Sequence, residues 1–152
     1  MFKDKKVLFV NKGFSLIEVL LTISIMAVLA GISLPISQSY QNHNNFSLAL
    51  DSTVNALRRS QILSESIDGD SIWGVSITSG TITIFKGASF ATRDIDFDEV
   101  FNFPDNITTG GLSEVTFSKL LGLPSSTGII SITSIEGETK NISINEKGFL
   151  FY

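Results

Sequence analysis

A single carboxylate, that of Glu18, lies in a stretch that is otherwise uncharged from Phe14 to Pro35. An acidic side chain in the centre of a bilayer costs about 2.5 to 3.5 kcal/mol on insertion scales. Such a group is therefore expected to have a function and a partner. Because a setting of low dielectric constant strengthens the attraction between opposite charges, the chemistry predicted for Glu18 is ion pairing with a cation.

Gly13 directly precedes this stretch, and its lack of a side chain has a steric consequence. Without a Cβ atom, glycine lets the backbone lie close to a protease. Cleavage after Gly13 would create a cationic amine on Phe14. In a bundle of staggered identical helices, that amine can pair with Glu18 of a neighbouring subunit, so Glu18 is predicted to drive assembly and set its register.

The stretch from Phe14 to Ile36 is predicted to be a membrane-spanning helix. At about 1.5 Å of rise per residue, a helix of this length covers about 34 Å, which is enough to cross the hydrocarbon core. Pro35 lacks a backbone N–H and clashes with the carbonyl four residues earlier. We predict that Pro35 kinks the helix or, alternatively, ends it where the chain leaves the membrane.

Charge is divided unevenly along the chain. Four lysines and one aspartate precede Phe14, a net charge of +3, whereas the rest carries seven basic and fourteen acidic side chains, a net charge of −7. Basic residues before an apolar span keep the N-terminus in the cytoplasm, so the acidic remainder is predicted to lie outside it. A removable secretory signal and a plain membrane anchor are alternatives, although neither explains Glu18.

These residues resemble a known family. Gly13, the sequence Phe14-Ser15-Leu16-Ile17-Glu18, the apolar helix and Pro35 are similar to the class III signal and N-terminal helix of type IV pilins and type II secretion pseudopilins. The resemblance implies cleavage between Gly13 and Phe14 by a prepilin peptidase, followed by N-methylation of Phe14. Other pilin or pseudopilin subunits and the inner-membrane assembly platform are then the expected partners.

The region after Pro35 changes to an amphipathic helical pattern. Apolar residues recur at spacings of three and four and predict that the helix continues to about Ser66, through a less regular polar joint at residues 41–45. Asp68-Gly69-Asp70 is predicted to end the helix, since glycine accepts the left-handed conformation. The residues that define the apolar face are Phe46, Ala49, Leu50, Val54, Leu57 and Gln61.

Short strand patterns follow Asp70. They predict a hairpin of residues 72–77 and 81–85, a second hairpin of residues 128–135 and 139–145, and strands over residues 95–103 and 115–118. The expected fold class is α+β, with a long N-terminal helix packed against an antiparallel β-sheet domain, as in the pilin fold. The predicted parts are a leader peptide (1–13), a transmembrane and assembly helix (14–36), its amphipathic continuation (37–67) and a C-terminal β domain (68–152).

The β domain also carries a resemblance. The segments Trp73-Gly74-Val75, Phe85-Lys86-Gly87, Ala91-Thr92-Arg93-Asp94 and residues 117–124 are similar to H-type (GspH/FimT-like) minor pseudopilins and minor pilins. This implies a structural subunit of a type II secretion pseudopilus or a type IV pilus. It would sit in the bacterial cytoplasmic (inner) membrane with its β domain outside the cytoplasm and then enter the filament. A minor pilin that binds DNA during uptake is the alternative.

Other chemistry has little support in the sequence. The chain has no cysteine and one histidine, His43, which excludes thiolate and multi-histidine metal sites. Asp94, Asp96, Asp98 and Glu99 do not have the spacing of a calcium loop and are predicted to form the wet face of a strand. Gly110-Gly111 is predicted to be a turn. We therefore expect no enzyme activity, no cofactor and no metal, and no nucleic acid partner, because the basic residues are dispersed over an acidic body.

Overall fold

In this computed structural model, the backbone is described for residues 13–78 and 80–152, and the side chains for the same residues except 32–39. Residues 1–12 of the predicted leader and the side chain of Pro35 therefore lie outside the described residues. The backbone at Pro35 is helical, so the alternative prediction that Pro35 ends the helix is wrong. The chain divides into two compact units, Met1–Ser39 and Tyr40–Tyr152.

The described residues contain one α-helix, α1, which runs from Leu16 to Glu65. The polar run at residues 41–45 is helical, so the prediction of a less regular joint there is wrong. At the other end, Ile67 adopts a left-handed conformation with φ of 55°. The helix thus ends close to the predicted residue, but Ile67 makes the first left-handed turn, ahead of the predicted Gly69.

Eight β-strands follow α1 in the described residues. They are β1 (Trp73–Thr78), β2 (Thr81–Lys86), β3 (Asp94–Asn102), β4 (Ile107–Gly111), β5 (Glu114–Phe117), β6 (Gly128–Ser134), β7 (Thr139–Ile144) and β8 (Leu150–Phe151). Single turns of 3-10 helix lie at Asp68–Asp70 and Phe90–Thr92. The two predicted hairpins are confirmed as β1–β2 and β6–β7.

The strands form two antiparallel sheets of four strands each, in the orders β3-β2-β1-β5 and β4-β6-β7-β8. In the first sheet, Val75 lies opposite both Ile84 and Val115. In the second sheet, Ile130 lies opposite Ile142. The predicted α+β fold is confirmed, and the division of its β domain into two sheets is a further finding.

The second unit has a core that α1 and both sheets build together. One face of α1 is buried from Phe46 to Ser64 at spacings of three and four, as the sequence predicted for its apolar members. Burying such apolar surface is the main favourable term in folding. The buried strand residues of this cluster are Trp73, Val75, Ile77, Ile82, Ile84, Ile107, Val115, Phe117, Ile130, Ile132, Ile142 and Ile144.

Three hydroxyl groups lie on the buried face of α1, and each has a hydrogen-bond partner. Thr53 Oγ1 donates to the Ala49 carbonyl at 2.8 Å, and Ser60 Oγ donates to the Leu57 carbonyl at 2.9 Å. Ser64 Oγ accepts the backbone N–H of Trp73 at 2.9 Å. Because buried polar groups without partners are costly, these bonds let a helix with hydroxyl side chains pack into the core, and the last one fixes the end of α1 to β1.

Strand β4 differs from the sequence prediction. Gly110-Gly111 was predicted to be a turn, but both residues belong to β4, and Gly111 pairs with Ile130. Gly111 has φ of 85°, and an added Cβ atom would collide with the Ile129 carbonyl oxygen. Glycine is therefore required here because two strands approach closely, and not because the chain turns.

The ion pair between Lys119 and Asp70 gives a test by pH. Lys119 Nζ lies 2.9 Å from Asp70 Oδ1, and its hydrogen bond and charge lower the pKa of Asp70. Any stability that this pair contributes is present above the ordinary pKa of aspartate and is lost as the pH falls through the lowered value. Lys119→Ala is expected to raise the pKa of Asp70 back toward the ordinary value of an aspartate, because the hydrogen bond and the charge that lower it are removed; carboxyl NMR titration measures the change. Lys140→Ala is the control and should leave the pKa of Asp70 low. If the pKa of Asp70 did not change in Lys119→Ala, the Lys119 ammonium group would not be the cause of the shift.

Candidate functional site

The junction between Gly13 and Phe14 lies in non-helical backbone immediately before α1. Phe14 is 81% exposed. A Cβ atom added to Gly13 would meet no atom within 4 Å, and its backbone is not in the left-handed region that favours glycine. Nothing in the described part of the chain thus requires glycine at this position.

Ser15 is the N-cap of α1. The backbone N–H of Glu18 points to both the hydroxyl and the carbonyl oxygen of Ser15, at 3.3 and 3.1 Å. Serine is among the preferred N-cap residues because its side chain satisfies a backbone donor that has no partner within the helix. This residue was missed in the sequence, although serine followed three positions later by glutamate is the known signature of a capped helix start.

Glu18 lies in the first turn of α1 and is exposed. The positive end of the helix dipole favours a carboxylate at this position. Among the described residues, no cation or hydrogen-bond donor contacts the Glu18 carboxylate, since the Ser15 hydroxyl binds the Glu18 backbone instead. Within the described part of the chain, the carboxylate therefore remains available to bind a cationic group.

The other polar side chains of this helical segment differ from Glu18 in this respect. Thr22 Oγ1 donates to the Val19 carbonyl at 2.9 Å, and Ser24 Oγ donates to the Leu20 carbonyl at 2.7 Å. Both hydroxyl groups are satisfied within their own helix. Between residues 13 and 31, the Glu18 carboxylate is thus the polar side-chain group without a partner.

Apolar side chains surround Glu18 on this part of α1 and are exposed on every side of the helix. A helix that is apolar all round is typical of a membrane or of the centre of a larger assembly. Among the described residues, no helix combines the length and the apolar character that crossing a membrane requires. The most exposed of these side chains are Phe14, Leu16, Ile17, Leu21, Met26, Val28 and Leu29.

The segment that contains the junction and Glu18 matches a family model. Residues 9–34 match the model described as the prokaryotic N-terminal methylation motif. The chain carries a prepilin-type signal. This finding supports the pilin and pseudopilin family, and a signal of this kind implies processing by a prepilin peptidase and assembly with other pilin subunits. No curated protein and no solved structure matches the chain.

The match covers all three residues to which we assigned roles in the prepilin-type signal, Gly13, Phe14 and Glu18. It ends at residue 34, before Pro35 and before the β domain. The family match thus concerns the N-terminal segment alone and does not extend to the β domain.

The acidic segment of β3 departs in part from the prediction of a wet face: Asp94 and Asp96 are exposed as predicted, but Asp98 is not. Ile95 and Phe97 are 69% and 46% exposed, whereas the Asp98 side chain is only 11% exposed. Arg93 Nε contacts both carboxylate oxygens of Asp98, at 2.7 and 3.0 Å. For Asp98 the prediction is wrong, because an arginine five residues away draws its carboxylate inward, where a charged pair with good geometry is tolerated.

Glu99, next to Asp98, is also bound by an arginine. Arg59 on α1 contacts the Glu99 carboxylate through Nε and Nη2, at 2.6 to 3.1 Å. These hydrogen bonds raise the pKa of the Arg59 guanidinium. Two of the four carboxylates that we considered in the sequence thus have cationic partners within the chain.

Proposed function

We propose that this protein is a structural subunit of a type II secretion pseudopilus or a type IV pilus and that it acts by assembly rather than catalysis. One observation carries the proposal. The exposed, non-helical Gly13–Phe14 junction lies at the start of a helix whose exposed apolar surface holds a carboxylate without a partner in the described structure. The same residues match the N-terminal methylation motif.

The proposed sequence of events follows from the positions of these groups. A prepilin peptidase cleaves after Gly13, and methylation of the new amine leaves it cationic. Before assembly, residues 14–36 anchor the subunit in the bacterial cytoplasmic (inner) membrane, with the N-terminus on the cytoplasmic side. During assembly, Glu18 of one subunit binds the Phe14 amine of another, since an unpaired charge in an apolar setting is costly.

The β domain would face outward from the filament and present partner-binding surface. We also propose, more specifically, that the protein is a minor subunit of the H type. This part of the proposal rests on the resemblance of four segments of the domain, among them Trp73-Gly74-Val75. An added Cβ at Gly74 would meet Phe85 and Thr116 side-chain atoms at 2.7 Å, so glycine in this segment meets a packing need.

DNA uptake is not favoured by any contact in the described structure. Binding to phosphates needs clustered and available positive charge. Arg59, Arg93 and Lys119 each bind a carboxylate of this chain, at 2.6, 2.7 and 2.9 Å. We accordingly propose a filament subunit without a nucleic acid partner, a cofactor or an enzymatic activity.

Gly13→Ala tests the processing step. The added methyl group meets no atom of the described residues, so their fold is expected to be unchanged while the peptidase fails to close on the junction. We expect at least about a tenfold loss of cleavage rate, which corresponds to about 1.4 kcal/mol in the barrier. The measurement is the shift from precursor to mature chain on a gel after co-expression with a prepilin peptidase.

Gly31→Ala is the matched control for this experiment. Its added Cβ also meets no atom within 4 Å, but Gly31 lies within α1 and far along the sequence from the junction. We expect normal cleavage of this variant. Cleavage of Gly13→Ala at the wild-type rate would contradict the assignment of Gly13 to the peptidase site.

A further inference from the structure

Four polar side chains form a connected network at the beginning of the second unit. Asn42 Nδ2 donates to Glu136 Oε1 at 2.6 Å, and Asn106 Nδ2 donates to Asn42 Oδ1 at 2.9 Å. Asn45 Nδ2 donates to Asn106 Oδ1 at 3.4 Å. We call Asn42, Asn45, Asn106 and Glu136 the amide clasp. It connects α1 to the turn before β4 and to the turn between β6 and β7.

The clasp holds a part of α1 that the core does not hold. Side chains of residues 40–45 are exposed or half-buried, and Phe46, at 2% exposure, is the first buried side chain of α1 among those that the structure describes. Within the second unit, the buried face of α1 therefore begins at Phe46. Residues 40–45 need another source of stability to remain helical.

The amino-acid composition of residues 40–45 also disfavours a helix. The segment reads Tyr-Gln-Asn-His-Asn-Asn, and tyrosine, histidine and asparagine all have lower helix propensity than alanine. Asparagine side chains also compete for backbone hydrogen bonds and so favour turns over helix interiors. In the clasp, the amides of Asn42 and Asn45 bind other side chains instead, which removes this competition.

The β-domain side of the clasp is fixed by the backbone. The Asn106 carbonyl accepts the N–H of Ile135 at 2.9 Å, and the Glu136 N–H points to Ser134 Oγ at 3.3 Å. His43 Nδ1 lies 3.8 Å from Glu138 Oε2 beside the clasp and adds a weaker contact between the same two elements. The helix side is thus the side that is able to move when the clasp opens.

We propose that the amide clasp is a conformational latch: when closed it keeps residues 40–45 helical, and when open it lets this segment unwind as far as Phe46. Each bond in the clasp exchanges with bonds to water, so one bond changes the opening equilibrium by roughly two- to tenfold. The proposal concerns the second unit alone and holds whether or not the chain enters a filament.

Hydrogen exchange of the full chain in detergent micelles tests the latch. Asn106→Ala removes the central member, which bonds to both Asn42 and Asn45. We expect about a tenfold or greater loss of protection for the backbone amides of residues 42–45. Amides of residues 54–65 and of the β-strands should exchange at the wild-type rate. Glu136→Gln keeps the shape of the end member but removes its charge and should give a smaller loss at the same amides.

Asn55→Ala is the matched control, because Asn55 lies on an exposed face of the same helix outside the clasp. It should leave the exchange of residues 42–45 unchanged. The latch would be disproved by wild-type protection of these amides in Asn106→Ala. It would also be disproved if the control lost protection equally, or if protection fell throughout the second unit, since the clasp would then act on the whole fold.

Discussion

Replacing Glu18 by alanine is expected to leave membrane insertion normal and to reduce incorporation into the filament by at least about a hundredfold. Removing one partner of a buried ion pair costs about 3 to 5 kcal/mol, because the other charge stays buried without a partner. In the described residues, the Glu18 carboxylate has no partner within its own chain, so its loss removes an assembly contact and not a folding contact. The measurement compares the amount of subunit in sheared filaments with the amount in the membrane.

Thr22→Ala is the control for the Glu18 experiment. Thr22 is a polar residue one turn further along the same helix, but its hydroxyl is satisfied by the Val19 carbonyl. We expect near-normal incorporation of this variant. If Glu18→Ala entered filaments as well as the wild type does, ion pairing would not explain the carboxylate.

Replacing Phe117 by alanine is expected to lower the free energy of unfolding by about 3 to 5 kcal/mol. Phe117 is 1% exposed and lies opposite Trp73 in the pairing of β5 with β1. Its removal leaves a cavity in the core, which neighbouring side chains fill only in part. Urea unfolding of the full chain in detergent, followed by the fluorescence of Trp73, measures the change, since the chain has one tryptophan.

Phe149→Ala is the matched control for this prediction. It removes the same side chain from a position that is 61% exposed, so we expect a change below about 0.5 kcal/mol. Equal destabilisation by the two substitutions would contradict the core described here.

The helix and most strands of this fold were predictable because their patterns repeat along the sequence. The periodic residues from Phe46 to Leu57 pack on the sheets, and the two hairpins form where the turns were expected. Strand β4 was missed because a glycine pair usually signals a turn, whereas Gly111 serves a close approach to Ile129. Strand β8 was missed because it has two residues, which is too short for any pattern.

The residues of the candidate site could be selected from the sequence, whereas the polar contacts of the β domain could not. Gly13, Phe14 and Glu18 lie within six residues, and their local spacing predicts the chemistry that we propose for them. The contact of Arg59 with Glu99 joins residues forty positions apart and depends on how α1 packs against β3. Tertiary packing decides such pairs, and it is not encoded in the local spacing of the residues.

Mass spectrometry of the mature N-terminus tests the proposed processing and assembly most directly. The full chain is produced together with a prepilin peptidase, isolated from the membrane and analysed intact and after digestion. The expected first residue is Phe14, with a methyl group on its amine. A first residue near Gly31 would instead show cleavage as an ordinary secretory signal, and it would contradict the role assigned to the N-terminal helix and to Glu18.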